Sequence, residues 1–256
     1  MKKLGTLRRS DGRSILTGEK SMRRSAVFLF LLLAACLPIS AQDFAAERRR
    51  MVETQIQARG IRDERVLDAM RRVERHLFVP ADMRGRAYAD SPLPIGEGQT
   101  ISQPYIVALM TETLRLSGSE RVLEVGTGSG YQAAVLSLLV KEVCTVEIRP
   151  GLQKRAAALL ASLGCRNVSS RQVDGYDGWE QKAPFDCIMI TAAVNHVPPP
   201  LLRQLKDGGR MVLPLGNPFA FQDLVLVTRT GGTYTVDHVL GVLFVPMTGK
   251  ALEGAR

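Results

Sequence analysis

The stretch Gly126-Thr127-Gly128-Ser129-Gly130 limits the possible folds of this chain more than any other segment. It sits between a short apolar run, Arg121–Val125, and a helical pattern over Tyr131–Val140. Glycines at a strand-to-helix turn let the backbone approach a ligand closely, and the first helical turn offers free N–H groups there. The dinucleotide fingerprint places its third glycine three positions after the second. Here position 131 is Tyr and the spacing is G-x-G-x-G, which disfavours an NAD(P) oxidoreductase.

The pattern after this turn alternates. Val143–Ile148 reads as a strand, Leu152–Leu163 as a helix closed by Gly164, and Val168–Val173 as a strand. Phe185–Thr191 is a strongly apolar strand, Pro200–Lys206 a short helix, and Arg210–Leu215 another strand. Strands and helices alternating at this spacing predict an α/β fold, a doubly wound and mostly parallel sheet with helices on both faces. Asp223–Arg229 and Thr233–Leu243 flank Thr230-Gly231-Gly232, a hairpin signal, so the sheet is expected to finish in antiparallel strands. Ahead of the sheet, Ala45–Arg59 reads as one amphipathic helix and Asp63–Val73 as a second with Asp63 as N-cap. Val79–Pro104 is rich in Gly and Pro without a sustained period, which predicts a long ordered loop and a place for function. Ile106–Leu116 returns to helical spacing.

Three acids mark the carboxyl ends of the strands, where open α/β sheets bind ligands. Glu124 precedes the glycines by two residues; it repels a pyrophosphate but suits a cationic amine or sulfonium, and S-adenosylmethionine carries both. Glu147 ends the second strand and is placed to accept the two ribose hydroxyls. Asp174 ends the third and is placed to accept from the adenine amine. Glu124, Gly126, Thr127, Gly128, Gly130, Glu147 and Asp174 are therefore the expected cofactor-binding set. No metal site is expected: Cys36, Cys144, Cys165 and Cys187 have no C-x-x-C spacing, and His76, His196 and His238 are scattered, which assigns them structural roles.

The net charge of +9 invites a nucleic-acid reading, but its distribution opposes one. Residues 1–41 hold eight basic and two acidic groups, residues 42–86 eleven and eight, and residues 87–256 fifteen of each. Arg23-Arg24 precedes the twelve uncharged residues Ala26–Leu37, too few to span a bilayer but fitting the apolar region of a secretory signal peptide. Two processing sites compete: Leu33-Ala34-Ala35-Cys36 resembles a lipobox, and Ile39-Ser40-Ala41 an ordinary signal-peptidase site. Residues 1–41 are thus expected to be a leader, with Met22 the more typical start, and membrane contact arises only if Cys36 is lipidated.

The segment Tyr88-x-Asp90-x-Pro92-Leu93-Pro94-Ile95-Gly96-x-Gly98-Gln99-Thr100-Ile101-Ser102-Gln103-Pro104, followed by Val122–Ala133, resembles the protein-L-isoaspartate (D-aspartate) O-methyltransferase family. So do Ala183-Pro184-Phe185-Asp186, Leu205-Lys206-x-Gly208-Gly209-Arg210, Pro214-x-Gly216 and Phe244-Val245-Pro246. The resemblance runs from about Met51 to Thr248 and implies a Rossmann-like methyltransferase domain over 42–256. Within it, 42–86 is a helical extension, 87–104 a substrate and lid loop, and 105–256 the core. It further implies methyl transfer from S-adenosylmethionine to the free carboxylate of L-isoaspartyl or D-aspartyl residues in damaged proteins. Ser102 matches the family's active-site serine, with Thr100, Ile101 and Gln103 in the substrate loop around it. The resemblance implies a generally cytosolic enzyme, whereas the leader points to the periplasm or a lipoprotein anchor, with the cytoplasm as the alternative; a monomer that binds no nucleic acid is expected. Alternative readings are a methyltransferase of a small molecule or RNA, and an exported binding protein that keeps the fold without catalysis.

Overall fold

Asp43 caps the first described helix by accepting from the N–H groups of Ala45 and Ala46, the interaction that lets a short acidic side chain start a helix. The structure, a computed structural model, describes residues 42–253; the expected leader and Cys36 lie outside the described residues. Helix α1 covers Phe44–Met51 and then widens into a π-turn over Val52–Ile56 and a 3₁₀ turn over Gln57–Arg59. The single helix expected over Ala45–Arg59 is therefore broken into three kinds of turn. The wide turn brings the consecutive residues Met51 and Val52, and then Ile56, into the core together. Gly60 stops the segment at φ +101°, where a side chain is strained. Helix α2 (Glu64–Arg72) starts from Asp63, which accepts from Arg65 N–H as expected.

The expected loop 79–104 contains more structure than its sequence announces. A 3₁₀ stretch covers Ala81–Arg86, and strands β1 (Leu93–Gly96) and β2 (Gln99–Ile101) pair as an antiparallel hairpin. Strands of four and three residues, one interrupted by Pro94, are too short for a period to show. Leu93 and Ile95 nevertheless alternate inward, and Gly96, Glu97 and Gly98 all take positive φ at the tip. Helix α3 (Pro104–Thr113) follows, with Pro104 at its first turn where no N–H is needed.

From here the strand–helix alternation holds. Strand β3 (Arg121–Val125) leads to helix α4 (Tyr131–Ser137), β4 (Glu142–Glu147) to α5 (Pro150–Ser162), and β5 (Val168–Gln172) to β6 (Phe185–Ile190). Helix α6 (Pro199–Gln204) runs into β7 (Leu205–Gly216), twelve residues where six were expected. The ladder between β6 and β7 is irregular across the Lys206–Gly209 bulge, which hides the start of the strand in the sequence. Strands β8 (Gln222–Thr230) and β9 (Thr233–Val242) form the expected hairpin, and Gly231 and Gly232 both have positive φ as a primed turn requires. The short helix α7 (Lys250–Glu253) ends the described chain.

The seven-stranded sheet runs β5-β4-β3-β6-β7-β8-β9, parallel through β7 and antiparallel beyond it. Val122, Val143 and Cys187 face one buried cluster, while Leu123, Cys144 and Ile188 face the other. A sheet covered on both sides explains why these strands are near-continuous apolar runs. Cys144 and Cys187 are buried free thiols, pushed up to about 12 and about 11 by burial, and serve as packing groups. No described helix is long and apolar enough to cross a membrane.

Candidate active site

The topological switch between β3, whose parallel neighbours β4 and β6 lie on either side, places the glycine loop at the carboxyl edge of the sheet. Gly126, Gly128 and Gly130 have φ of +101°, +53° and +89°. At Gly126 a Cβ would collide with the Thr191 hydroxyl, which donates to Val125 O and Gly126 O at 3.0 and 2.8 Å. Gly126 N and Thr127 N both donate to Val146 O, so the loop is held from β4 and from the end of β6.

Beneath the loop is a buried polar file. Glu124 is fully buried; one carboxylate oxygen accepts from the Thr145 hydroxyl at 2.6 Å, and Thr127 lies 2.6 Å from the same Thr145 hydroxyl. The other oxygen, Oε1, has no partner. Burial, opposed by the Thr145 bond and reinforced by the charge of Glu147, pushes the Glu124 carboxyl up to about 8. Glu147, also buried, accepts from Gly128 N and Arg149 N at 2.9 and 3.0 Å, which leaves lone pairs on both oxygens.

These residues line a cleft at the carboxyl edge of the sheet. The glycine loop, Glu124 and Glu147 form its floor and side, and Gln99, Thr100, Ile101 and Ser102 enter it from the β1–β2 hairpin. Gln103 does not line it: its amide donates to Asp90 Oδ1 at 2.7 Å, which ties the start of α3 back to the preceding loop. The Asp174 carboxylate is likewise occupied elsewhere, accepting from Tyr176 N and Lys250 N, while its neighbour Gly175 lines the cleft. A Cβ on Gly175 would strike Val125 Cγ1, so this wall also needs glycine.

Two parts of the site escape the sequence. The far wall, Val245–Thr248, follows the edge hairpin and returns to the cleft by pairing with Ala193. Thr145 sits in mid-strand, where β-branched residues are ordinary; only its ladder partner, Glu124, gives it a role. His196, six residues beyond β6, bonds Tyr176 Oη at 3.0 Å and Asn195 at 2.7 Å on the exposed rim. His76 stacks on Phe44 at 4.1 Å and contacts Tyr88 Oη, a packing role. Among the described residues no cluster of His, Cys, Asp and Glu is arranged to hold a metal.

The donor set fits an S-adenosylmethionine-type ligand: a floor without Cβ atoms, an orphaned buried carboxylate oxygen toward a cation, and a second carboxylate with free lone pairs for hydroxyls. Comparison with known proteins agrees. The family profile for protein-L-isoaspartate(D-aspartate) O-methyltransferase matches residues 46–252. The chain belongs to this family. Protein-L-isoaspartate O-methyltransferase 2 of Shewanella sediminis is 63% identical over 235 residues, covering 89% of this chain and 96% of that one. Protein-L-isoaspartate O-methyltransferase 1 of Nitrosospira multiformis is 52% identical over 229 residues, covering 88% and 97%. A solved protein-L-isoaspartate O-methyltransferase is 29% identical with a TM-score of 0.73, covering 79% of this chain and 67% of that one. A Plasmodium falciparum structure described as a putative member with S-adenosyl-L-homocysteine is 23% identical, with a TM-score of 0.68 over 78% of this chain and 98% of that one, and attests the fold. As in this family, the doubly wound, Rossmann-like sheet and its antiparallel end are as the sequence predicts.

Proposed function

We propose that this isoaspartate methyltransferase joins its methyl donor and a polypeptide carboxylate across the cleft between the glycine loop and Ser102. S-adenosylmethionine supplies an electrophilic methyl group on a sulfonium. The acceptor is the free carboxylate of an L-isoaspartyl residue, and of a D-aspartyl residue by the same geometry. That carboxylate is already ionised at neutral pH, so the transfer needs no general base. Catalysis then rests on alignment and on exclusion of water. Gln99–Ser102 line the same cleft as Glu124 and the glycines, which would let them exclude water from both reacting charges.

The protein's residues divide the work. Glu124 holds the cationic end of the donor through its orphaned oxygen, and Glu147 accepts from its ribose hydroxyls. Gly126, Thr127, Gly128 and Gly130 let the backbone lie against it. Asp174 shapes the adenine end by holding the Gly175–Asp177 turn, whose Gly175 lines the cleft, and the Lys250 N–H. The Ser102 hydroxyl donates to the acceptor carboxylate and holds one oxygen in line with the methyl group; Thr100 and Ile101 flank it. Methyl transfer leaves a neutral ester and an uncharged thioether.

The observation that carries this reading is the unpartnered buried Glu124 oxygen in a cleft whose opposite wall is the Ser102 loop. The family match and its relatives support a polypeptide acceptor over a small molecule or RNA. The balanced charge beyond residue 86 supports the same choice. The test is incubation with labelled S-adenosylmethionine and an isoaspartyl peptide beside its aspartyl twin. Base-labile methyl esters on the isoaspartyl peptide alone are expected; equal labelling of both, or of neither, overturns the reading.

We also infer that the leader is processed at one of its two competing sites, cleavage after Ala41 releasing residues 42–256 and cleavage before Cys36 leaving a lipidated membrane anchor, and that the protein acts as a monomer outside the cytosol. The basic n-region, the twelve-residue apolar run and the two competing processing sites support this. The mass of the N-terminus from native cells decides it: an intact Met1 or Met22 refutes processing.

A further inference from the structure

Most large apolar side chains of this domain are buried, but three strongly exposed ones lie at the same end of the β8–β9 hairpin. Phe219 is 73% exposed, Phe221 80% and Leu243 68%. Gln222 pairs with Val242 in the β8–β9 ladder, so Phe221 and Leu243 are the next opposed residues at the end of that ladder. Phe219 stands on the same turn, two residues earlier.

The corner is built to hold these side chains out. The Asn217 side chain accepts from Phe219 N at 2.9 Å, and Pro218 is buried beneath it. Gln222 is 2% exposed and ties both sides together: its amide nitrogen donates to Asn217 O and Ala220 O, and its amide oxygen accepts from Phe244 N at 2.8 Å. A loop stapled by a buried glutamine keeps its apolar side chains in water, although nothing within its own turn requires phenylalanine there. Contiguous exposed apolar groups on a fixed frame mark an interaction surface.

Its position identifies the occupant. Gly216, where the loop begins, donates to Val194 O at 2.9 Å, and Ala193 donates to Val245 O at 2.8 Å. Thr191 and Ala192 just before that segment line the cleft, as do Val245 and Pro246. Leu243 is two residues from Val245, about 7 Å of extended chain. The patch is thus continuous with the far wall of the substrate cleft. A residue embedded in a polypeptide cannot be methylated there unless the chain on either side of it leaves across the rim.

We propose that Phe219, Phe221 and Leu243 form a docking surface for the extended polypeptide flanking the isoaspartyl residue, taking up its apolar side chains. This rests on the function proposed above and deepens it. Damaged or partly unfolded chains expose apolar residues that folded ones hide, so an apolar, sequence-tolerant contact selects such chains without reading one sequence. Ser102 then reads the defect, and the corner reads the state of the chain around it.

The test compares the unaltered protein with a Phe219→Ser, Phe221→Ser, Leu243→Ser triple variant and with Phe221→Ser alone. Three isoaspartyl peptides are used: one of about five residues, and two of about fifteen, one with apolar and one with polar flanks, since about fifteen extended residues span roughly 50 Å. The triple variant is expected to raise KM for the long apolar peptide about fivefold or more with kcat unchanged. KM for the other two peptides stays the same, and Phe221→Ser shows part of the effect. An equal change for all three peptides, or none for any, overturns the proposal. Fluorescence anisotropy of the labelled long apolar peptide reads docking without methyl transfer; weakened binding to the triple variant supports the surface even if no peptide is methylated. Two further measurements name the rival occupants. A dimer in light scattering that the triple variant dissociates, or flotation with phosphatidylglycerol vesicles that it abolishes, assigns the patch to a second copy or a membrane and overturns the proposal.

Discussion

Thr145 donates its hydroxyl hydrogen to Glu124 at 2.6 Å from directly across the β3–β4 ladder. The Thr127 hydroxyl lies 2.6 Å from the same oxygen atom of Thr145. With Glu124 ionised, Thr145 spends its only hydrogen on the carboxylate and must accept from Thr127. The direction of this file therefore follows the charge on Glu124, and it links the glycine loop to Oε2 of a carboxylate whose other oxygen, Oε1, has no partner among the described residues.

The pH dependence of stability follows from that carboxyl. Burial first, with Glu147 adding to it, raises Glu124 from 4.5 to about 8, so between these values the folded state binds more protons than the unfolded. This contribution to stability is complete below about 4.5 and is lost as pH rises toward about 8. The unfolding free energy of the unaltered protein from urea titration should fall over this window relative to Glu124→Gln, by up to a few kcal/mol in total. Parallel curves would show that Glu124 is not the buried acid that matters.

The same group predicts how the donor binds. A cation beside Glu124 favours its ionised form and releases the proton, so affinity for S-adenosylmethionine should rise with pH up to about 8 and then level. Calorimetry in two buffers of different ionisation enthalpy measures the proton released. Glu124→Gln should remove the release and weaken binding about tenfold or more, the scale of a lost charge-assisted contact.

Ser102 is expected to act on the acceptor and leave the donor alone. Ser102→Ala should lower kcat by about tenfold to a hundredfold, the range of one lost hydrogen bond to a charged group. S-adenosylhomocysteine binding, followed by calorimetry, should stay within about twofold of the unaltered protein. Loss of nucleoside binding would sink the assigned role.

Gly126→Ala combines a positive φ with a collision against the Thr191 hydroxyl. It should cost about 1–3 kcal/mol in denaturant unfolding and displace the loop enough to abolish measurable donor binding. Gly164→Ala, also at positive φ but with open space around its Cβ, serves as a control. It should show the backbone cost while keeping the donor site.

Asp174 separates structure from recognition. Its carboxylate accepts from Tyr176 N and Lys250 N, so Asp174→Ala should destabilise the domain by about 1–2 kcal/mol, as loss of a capping acceptor does. Asp174→Asn keeps one acceptor oxygen and should recover part of that stability. If the remaining lone pairs also serve the adenine amine, both variants weaken S-adenosylhomocysteine binding, and the asparagine no less than its amide geometry dictates. Unchanged binding in both variants would leave Asp174 a purely structural cap.

Much of this protein was legible before any fold was known, for reasons local to the chain. Near-continuous apolar runs such as Val122–Val125 and Phe185–Ile190 announce strands buried on both faces, and Asp63 and Pro104 announce helix starts through their own hydrogen-bonding capacity. The glycine turn after β3 was legible because positive φ and close backbone approach are properties single residues carry. The β1–β2 hairpin was not legible, since strands of three and four residues are too short for a period. Nor was the break of Ala45–Arg59 into three kinds of turn, because packing against the core set that register.

The residues around the glycine-lined cleft divide the same way. Sequence alone determined the strand–helix order, the glycine turn and the identity of the acids at the strand ends. Only the tertiary structure decided that Glu124 keeps an orphaned oxygen, that Gln103 and Asp174 spend their side chains on backbone and loop partners, and that Val245–Thr248 closes the cleft. The physical reason is that partnership depends on which strands become neighbours: Thr145 meets Glu124 through a parallel ladder between segments about twenty residues apart, a separation that no local pattern encodes.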